Sequence, residues 1–139
     1  MSFEVILPFL RPIADLILDA DVSEIMVNGS GRVFTERAGR LEEAVGVPIR
    51  EKSLQVAVRN IARALGDDIS EDHPLLDSRL PDGSRVAAVV PPCSLGGTTL
   101  TIRKFHSQRF TTDELVRVGT LTPAIVAAVR QAIASHENV

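Results

Sequence analysis

The sequence predicts an α+β domain with a largely antiparallel sheet, and three observations support this fold class. Short segments of alternating apolar and polar residues form two blocks, one on each side of a long helical pattern. Turn-forming residues separate the strands within each block, as in antiparallel meanders. Strands and helices also cluster instead of alternating strictly, which argues against a parallel sheet. We therefore expect two three-strand meanders with flanking helices.

The first meander begins at Ser23–Val27, where apolar and polar residues alternate. The strand leads into Asn28–Gly31, a strong signal for a tight hairpin turn. Val33–Arg37 forms the second predicted strand, Ala38–Gly39 the second turn, and Arg40–Val45 the third strand.

Four helices are predicted around the strands, the last two beginning at Thr111 and Thr122. Apolar spacing over Ile6–Leu18 indicates an entry helix, and Glu51–Leu65 repeats apolar residues at helical spacing up to Gly66, a typical residue just beyond a helix end. Thr111–Glu114 has the capping-box pattern, and Thr122–Pro123 is a cap followed by a first-turn proline.

The second meander comprises the predicted strands Leu75–Leu80, Arg85–Val90 and Thr98–Phe105. β-branched residues are enriched in these segments, as in strands generally.

Three arginines of this meander are predicted to lie side by side. If Pro81–Gly83 forms a three-residue turn, Arg79 lies opposite Arg85. If the loop Pro91–Gly97 closes the next hairpin symmetrically, Arg85 lies opposite Arg103. The three guanidiniums would then share one face of the sheet.

This row of like charges has three possible environments. Like charges directly opposite each other destabilise a ladder, so the row would face an anion or pair with carboxylates such as Asp77 and Asp82. A solvated face is the third possibility. A slip of one residue in either register would place the arginines on opposite faces.

Composition excludes several other classes of protein. The chain has 139 residues, 45% apolar and 24% charged, which describes one soluble globular domain. A net charge of −3, no Trp, no Tyr and five Phe argue against nucleic-acid binding. Cys93 is the single cysteine, and His73, His106 and His136 show no ligand spacing, so we expect no disulfide and no metal.

The amino-terminal residues do not resemble a signal peptide, and we expect a cytoplasmic protein. Glu4 precedes any basic residue, and Pro8 and Pro12 interrupt the apolar run.

Recognisable catalytic machinery is missing from the sequence. No G-x-x-x-x-G-K-[ST] motif occurs, so the chain lacks a phosphate-binding P-loop. His73 and Cys93 are each possible reactive groups, but neither has a partner at a catalytic spacing, which argues against an autonomous hydrolase.

Three segments of the sequence resemble the N-terminal domain of type II/IV secretion ATPases. They are VSEIMVNGSGRVFTERAGRL (Val22–Leu41), HPLLDSRLPDGSRVAAVVPP (His73–Pro92) and TLTIRKF (Thr99–Phe105). The similarity is greatest to the branch that drives Tad-type pilus assembly and type IV secretion.

The resemblance implies a fold, a domain division and a site. Residues 1–110 would be the N-terminal domain, with a six-stranded sheet, and residues 111–139 the linker and first helices leading to a RecA-like ATPase domain. By matching motifs, Arg85 and Arg103 would reach the terminal phosphates of ATP bound to that domain, with Arg79 as a nearby candidate. The cofactor would be ATP with Mg²⁺ in the full-length protein, with none tightly bound by this chain alone.

The resemblance also implies partners and a location. Six identical subunits would form a ring at the cytoplasmic face of the inner membrane and act with platform proteins of a secretion or pilus system. The alternative is a stand-alone module that binds a protein or a small ligand without ATP. An open reading frame that continues beyond Val139 into a P-loop would favour the secretion ATPase.

Overall fold

The computed structural model describes residues 3–47, 49–105 and 110–137, which adopt an α+β fold. Within them, six strands form one antiparallel sheet with the order β3-β2-β1-β6-β5-β4. The strands are β1 (Val22–Val27), β2 (Val33–Arg37), β3 (Arg40–Glu43), β4 (Leu75–Arg79), β5 (Arg85–Val89) and β6 (Thr99–Arg103). The helices are α1 (Ala14–Leu18), α2 (Glu51–Ala64), α3 (Thr112–Arg117) and α4 (Pro123–Ala134). The predicted fold class is confirmed.

The two predicted meanders join through their innermost strands. β1 pairs with β6 in an antiparallel register that places Ile25 opposite Ile102. The first strand of one meander and the last strand of the other therefore form the centre of the sheet. β3 and β4 are its two edges.

The prediction of one continuous entry helix is wrong. Short 3-10 turns occupy Leu7–Phe9 and Arg11–Ile13, and only Ala14–Leu18 is α-helical. Each 3-10 turn contains a proline, and a proline inside a helix removes a hydrogen bond and clashes with the preceding turn. The apolar side chains of the segment are nevertheless buried: Ile6, Leu10, Ile13 and Ile17.

The core lies between one face of the sheet and α2. Strand residues such as Val86 and Ile102 are fully buried in the same apolar cluster as Val58 and Ile61 of α2. Burying a side chain of this size contributes about 1.5–3 kcal/mol. Because strand residues alternate between faces, the residues next to these core positions lie on the opposite face, which carries the arginines.

The chain divides into two compact units, Met1–Phe105 and His106–Val139. The first contains the sheet, α1 and α2, and the second contains α3 and α4. Thr111 and Glu114 form a reciprocal capping box at the start of α3, and Thr122 caps α4. Neither α3 nor α4 contains a buried residue. Among the described residues, no helix combines the length and apolar character that crossing a membrane requires.

Candidate functional site

The turn between β4 and β5 sets the register of the first two arginines. The backbone N–H of Leu80 donates to the Ser84 carbonyl at 2.7 Å, and Gly83, with φ of +92°, closes the turn. Only glycine adopts this φ without strain. The pairing that results places Arg79 opposite Arg85, as predicted.

The loop between β5 and β6 sets the register of the third arginine. Val89 pairs with Thr99 and Arg85 with Arg103, so the hairpin is symmetric about Ser94. The prediction that Arg85 and Arg103 are neighbours on adjacent antiparallel strands is confirmed. Their partners across the sheet show that all three arginines lie in one row on one face.

This row continues into the first meander with the opposite charge. Glu24 lies opposite Arg103, and Glu36 lies opposite Glu24. The row therefore has a basic half on β4, β5 and β6 and an acidic half on β1 and β2. Sequence reasoning missed Glu24 and Glu36, since only the long-range pairing of β1 with β6 brings them next to the arginines.

Arg85 is ion-paired with Asp77. Nη2 of Arg85 donates to Oδ1 at 2.9 Å and to Oδ2 at 2.6 Å. The side chains are 57% and 60% exposed, so solvent screens the pair. The hydrogen bond to Asp77 and the attraction of its charge raise the pKa of Arg85.

Arg79 and Arg103 are exposed, and neither makes an ion pair with any residue that the structure describes. The four charged groups of this half, three guanidiniums and one carboxylate, therefore sum to two positive charges. An anion placed over the row would meet unpaired hydrogen-bond donors from two arginines. The arrangement can bind a phosphate or another oxyanion.

Asp82, the other predicted partner of the arginines, instead binds within the turn. Its Oδ1 accepts from the backbone N–H of Ser84 at 3.0 Å and its Oδ2 from the Ser84 hydroxyl at 2.7 Å. The Ser84 Oγ in turn accepts from the backbone N–H of Phe105 at 2.9 Å. Asp82 and Ser84 thus tie the β4–β5 turn to the chain leaving β6, two residues beyond Arg103.

Lys104 fixes the same end of β6 from the core side. Its Nζ donates to the backbone carbonyls of Asp19 at 2.6 Å and Leu16 at 3.2 Å. Partial burial lowers the pKa of Lys104. Arg103 therefore extends from a strand end that is held on both sides, which limits its freedom to that of its own side chain.

The other candidate reactive residues lie outside this row. The backbone N–H of His73 donates to the Ser70 hydroxyl at 3.2 Å, and Cys93 is an exposed free thiol. His106 is outside the described residues. In the described part of the chain, no group of three or more His, Cys, Asp or Glu residues could hold a metal ion.

Comparison with known proteins matches this chain to secretion proteins over most of its length. The family model described as "Type II/IV secretion system protein" matches residues 10–139. The conjugal transfer protein TrbB of Rhizobium radiobacter is 34% identical over 122 residues, 87% of this chain and 37% of TrbB. The type IV secretion system protein VirB11 of Brucella suis biovar 1 is 33% identical over 111 residues, 79% of this chain and 31% of VirB11. This chain thus spans only about a third of the length of these relatives.

A solved structure shares the fold as well as the sequence. The crystal structure of the VirB11 ATPase from the Brucella suis type IV secretion system, in complex with sulphate, superposes with a TM-score of 0.73 at 30% identity. The match covers 95% of this chain and 45% of that chain. The chain therefore belongs to the type II/IV secretion system protein family, with the sequence and fold of the N-terminal domain of a secretion ATPase.

Proposed function

We propose that this domain supplies Arg85 and Arg103, with Arg79 beside them, to the phosphates of ATP bound on the catalytic domain of a secretion or pilus-assembly ATPase. The observation that carries this proposal is the row of three arginines on one exposed face, with two of them unpaired among the described residues. The chain has no P-loop of its own, so the nucleotide would be held by another domain.

Charge and geometry suit the arginines to this role. A guanidinium presents planar, paired donors that match phosphate oxygens, and it stays charged at any physiological pH. Charges that neutralise a transferring phosphoryl group can contribute about 10³–10⁵ in rate. An arginine that arrives with a separate domain would also couple the nucleotide state to the position of that domain.

One relative of known structure was solved with a bound oxyanion. The VirB11 ATPase with the shared fold was solved in complex with sulphate, a tetrahedral oxyanion like phosphate. We extend that property to the arginine row of this chain.

The proposal includes the setting of the longer protein. ATP with Mg²⁺ would be its cofactor, and six copies would assemble as a ring with secretion or pilus platform proteins at the cytoplasmic face of the inner membrane. Its support is the family membership and the fraction of each relative that this chain covers. Reading the gene beyond the codon for Val139 tests this setting, since a P-loop motif in the same frame is expected.

The arginine role is tested by substitution in the protein that joins this domain to its P-loop domain. We expect Arg85→Ala and Arg103→Ala each to lower ATP turnover by about tenfold or more, because each removes a charge from the transition state. Lysine replacements should restore turnover only in part, since an ammonium cannot reproduce the planar donor geometry of a guanidinium. Both side chains are exposed, so the thermal midpoint should change little.

Arg32→Ala is the matched control. Arg32 is 58% exposed and also paired with a carboxylate, that of Glu43, but it lies outside the row. Its removal should leave turnover nearly unchanged. Normal turnover in well-folded Arg85→Ala and Arg103→Ala proteins, or loss of folding in both, would show that these arginines have a structural role instead.

A further inference from the structure

We propose that Asp77 is a positioning residue that holds Arg85 in place to receive a phosphate. The inference rests on the proposed function and adds a residue to it. Asp77 is the only acidic residue in β4, β5 and β6, and its carboxylate binds the middle arginine of the row.

The ion pair leaves most of the Arg85 guanidinium available. Both Asp77 oxygens accept from the same nitrogen, Nη2, and no described residue engages Nη1 or Nε. The Arg32–Glu43 pair differs, because Nε of Arg32 donates to Oε1 at 2.8 Å and Nη2 to Oε2 at 2.6 Å. That pair occupies the Nε–Nη2 edge of the guanidinium, whereas Asp77 holds Arg85 by Nη2 alone, so Nη1 and Nε can each still donate a single hydrogen bond to an oxyanion.

Asp77 also offsets the electrostatic repulsion between the arginines of the row. Arg85 is flanked by Arg79 on β4 and Arg103 on β6, and like charges at opposed positions repel. Asp77 lies two residues before Arg79 on β4, diagonal to Arg85 and on the same face. Its charge draws the Arg85 guanidinium away from the line of its neighbours. Without Asp77, Arg85 would keep its strand position but lose a defined orientation.

The exposure of the pair indicates that its effect is on function and not on folding. Screened surface ion pairs contribute little to stability. Orientation of a charged donor matters far more in a reaction, where misplacement by about 1 Å can lower the rate about a hundredfold.

A double-mutant cycle in the protein containing the P-loop domain tests the proposal. We expect Asp77→Asn to lower ATP turnover about three- to tenfold in the wild-type background, through loss of orientation. In the Arg85→Ala background the same substitution should have no further effect, because the group it positions is gone. In the Arg103→Ala background it should keep its full effect. The thermal midpoint should stay the same throughout, and Glu43→Gln should leave turnover unchanged.

The outcomes separate this inference from the function on which it rests. Asp77 does not position Arg85 if Arg85→Ala lowers turnover but Asp77→Asn does not. The same conclusion follows if Asp77→Asn lowers turnover as much in the Arg85→Ala background as in the wild-type background. If Arg85→Ala leaves turnover intact in a folded protein, the arginine role itself fails and the role of Asp77 with it. Asp77→Glu tests whether the loss of charge alone explains the effect of Asp77→Asn. This variant keeps the negative charge but moves it away from the backbone by one methylene group. Wild-type ATP turnover in Asp77→Glu would show that Asp77 does not position Arg85.

Discussion

Two arginine–carboxylate pairs with nearly equal arginine exposure differ in which nitrogens of the guanidinium they use. Arg32 is 58% exposed and Arg85 57%. Arg32 binds Glu43 through two nitrogens, and its charge also lies 5.1 Å from the Phe34 ring centroid. Arg85 binds Asp77 through one nitrogen. Exposure and charge alone would not distinguish the two arginines, whereas the count of occupied donors does.

A second residue-scale feature is the close approach of two loops at Gly29. A Cβ on Gly29 would lie 2.4 Å from the carbonyl carbon and oxygen of Gly96, although the φ of Gly29 is not left-handed. Gly97 packs against the same turn, since a Cβ on Gly97 would lie 2.6 Å from the carbonyl oxygen of Gly29. The β1–β2 turn and the β5–β6 loop therefore touch backbone to backbone.

Alanine substitutions separate this packing constraint from backbone strain. Gly29→Ala should destabilise the domain by about 3 kcal/mol, because two backbones must separate. Gly46 has φ of +85° with nothing within 4 Å of its Cβ position, so Gly46→Ala should cost only about 1 kcal/mol of left-handed strain. Urea unfolding of both variants measures the difference. Equal losses would show that the two loops do not touch in solution.

Among the helices, α3 and α4 begin at local side-chain caps, whereas the start of α2 is held by a long-range contact. α2 begins with Glu51, whose carboxylate accepts from the backbone N–H of Thr98 at 2.9 Å and from its hydroxyl at 2.6 Å. This contact attaches α2 to the start of β6. In the second unit, the capping box predicted at Thr111 and Glu114 is present with both reciprocal bonds. A cap acts within one turn, which is why its pattern can be read from the sequence.

The capping box makes the start of α3 sensitive to acid. Hydrogen bonds from the backbone N–H and then the hydroxyl of Thr111 lower the pKa of Glu114. A carboxyl group with a lower pKa in the folded state than in the unfolded state stabilises the folded state when it is ionised. This stabilisation is fully present above the ordinary glutamate pKa, near pH 4, and it is lost as the pH falls through the pKa of the folded state. NMR titration of the Glu114 carboxyl should give a pKa below the ordinary glutamate value.

Thr111→Ala provides the control for this titration. It removes the hydroxyl but keeps the backbone donor, so the pKa of Glu114 should move only part of the way back. An ordinary glutamate pKa in the unmodified chain would mean that the capping box does not form in solution.

In the molecule as a whole, the sheet brings the charged residues of both meanders into one row. The pairing of β1 with β6 produces a face with a basic half and an acidic half, and the arginines on it can contact an anion without holding a nucleotide's base or sugar. This is the arrangement that the proposed function requires, in which another domain would bind the nucleotide.

We therefore expect the purified 139-residue chain not to hydrolyse ATP. The physical reason is the missing P-loop, whose backbone N–H groups and lysine hold the phosphates in related ATPases. Phosphate release measured with this chain should equal the background, while the protein with its P-loop domain should be active. Turnover that survives further purification and disappears when a residue of this chain is replaced would contradict this expectation.

Local sequence patterns were enough to predict both hairpins of the second meander and the row of arginines. Glycine at a left-handed turn position and a symmetric loop fixed the registers that bring Arg79, Arg85 and Arg103 together. Hairpin registers depend on the turn that joins two strands, so a few residues suffice to predict them.

The groups that surround those arginines could be found only from the folded chain. The sequence named Asp77 and Asp82 as equal candidates, and only the folded turn shows that Asp82 binds Ser84 while Asp77 binds Arg85. The fold also places Glu24 beside Arg103, because β1 pairs with β6, a strand more than seventy residues further along the chain. Such contacts follow from how two meanders and α2 bury their apolar faces in one core, and that depends on every element together and not on any local motif.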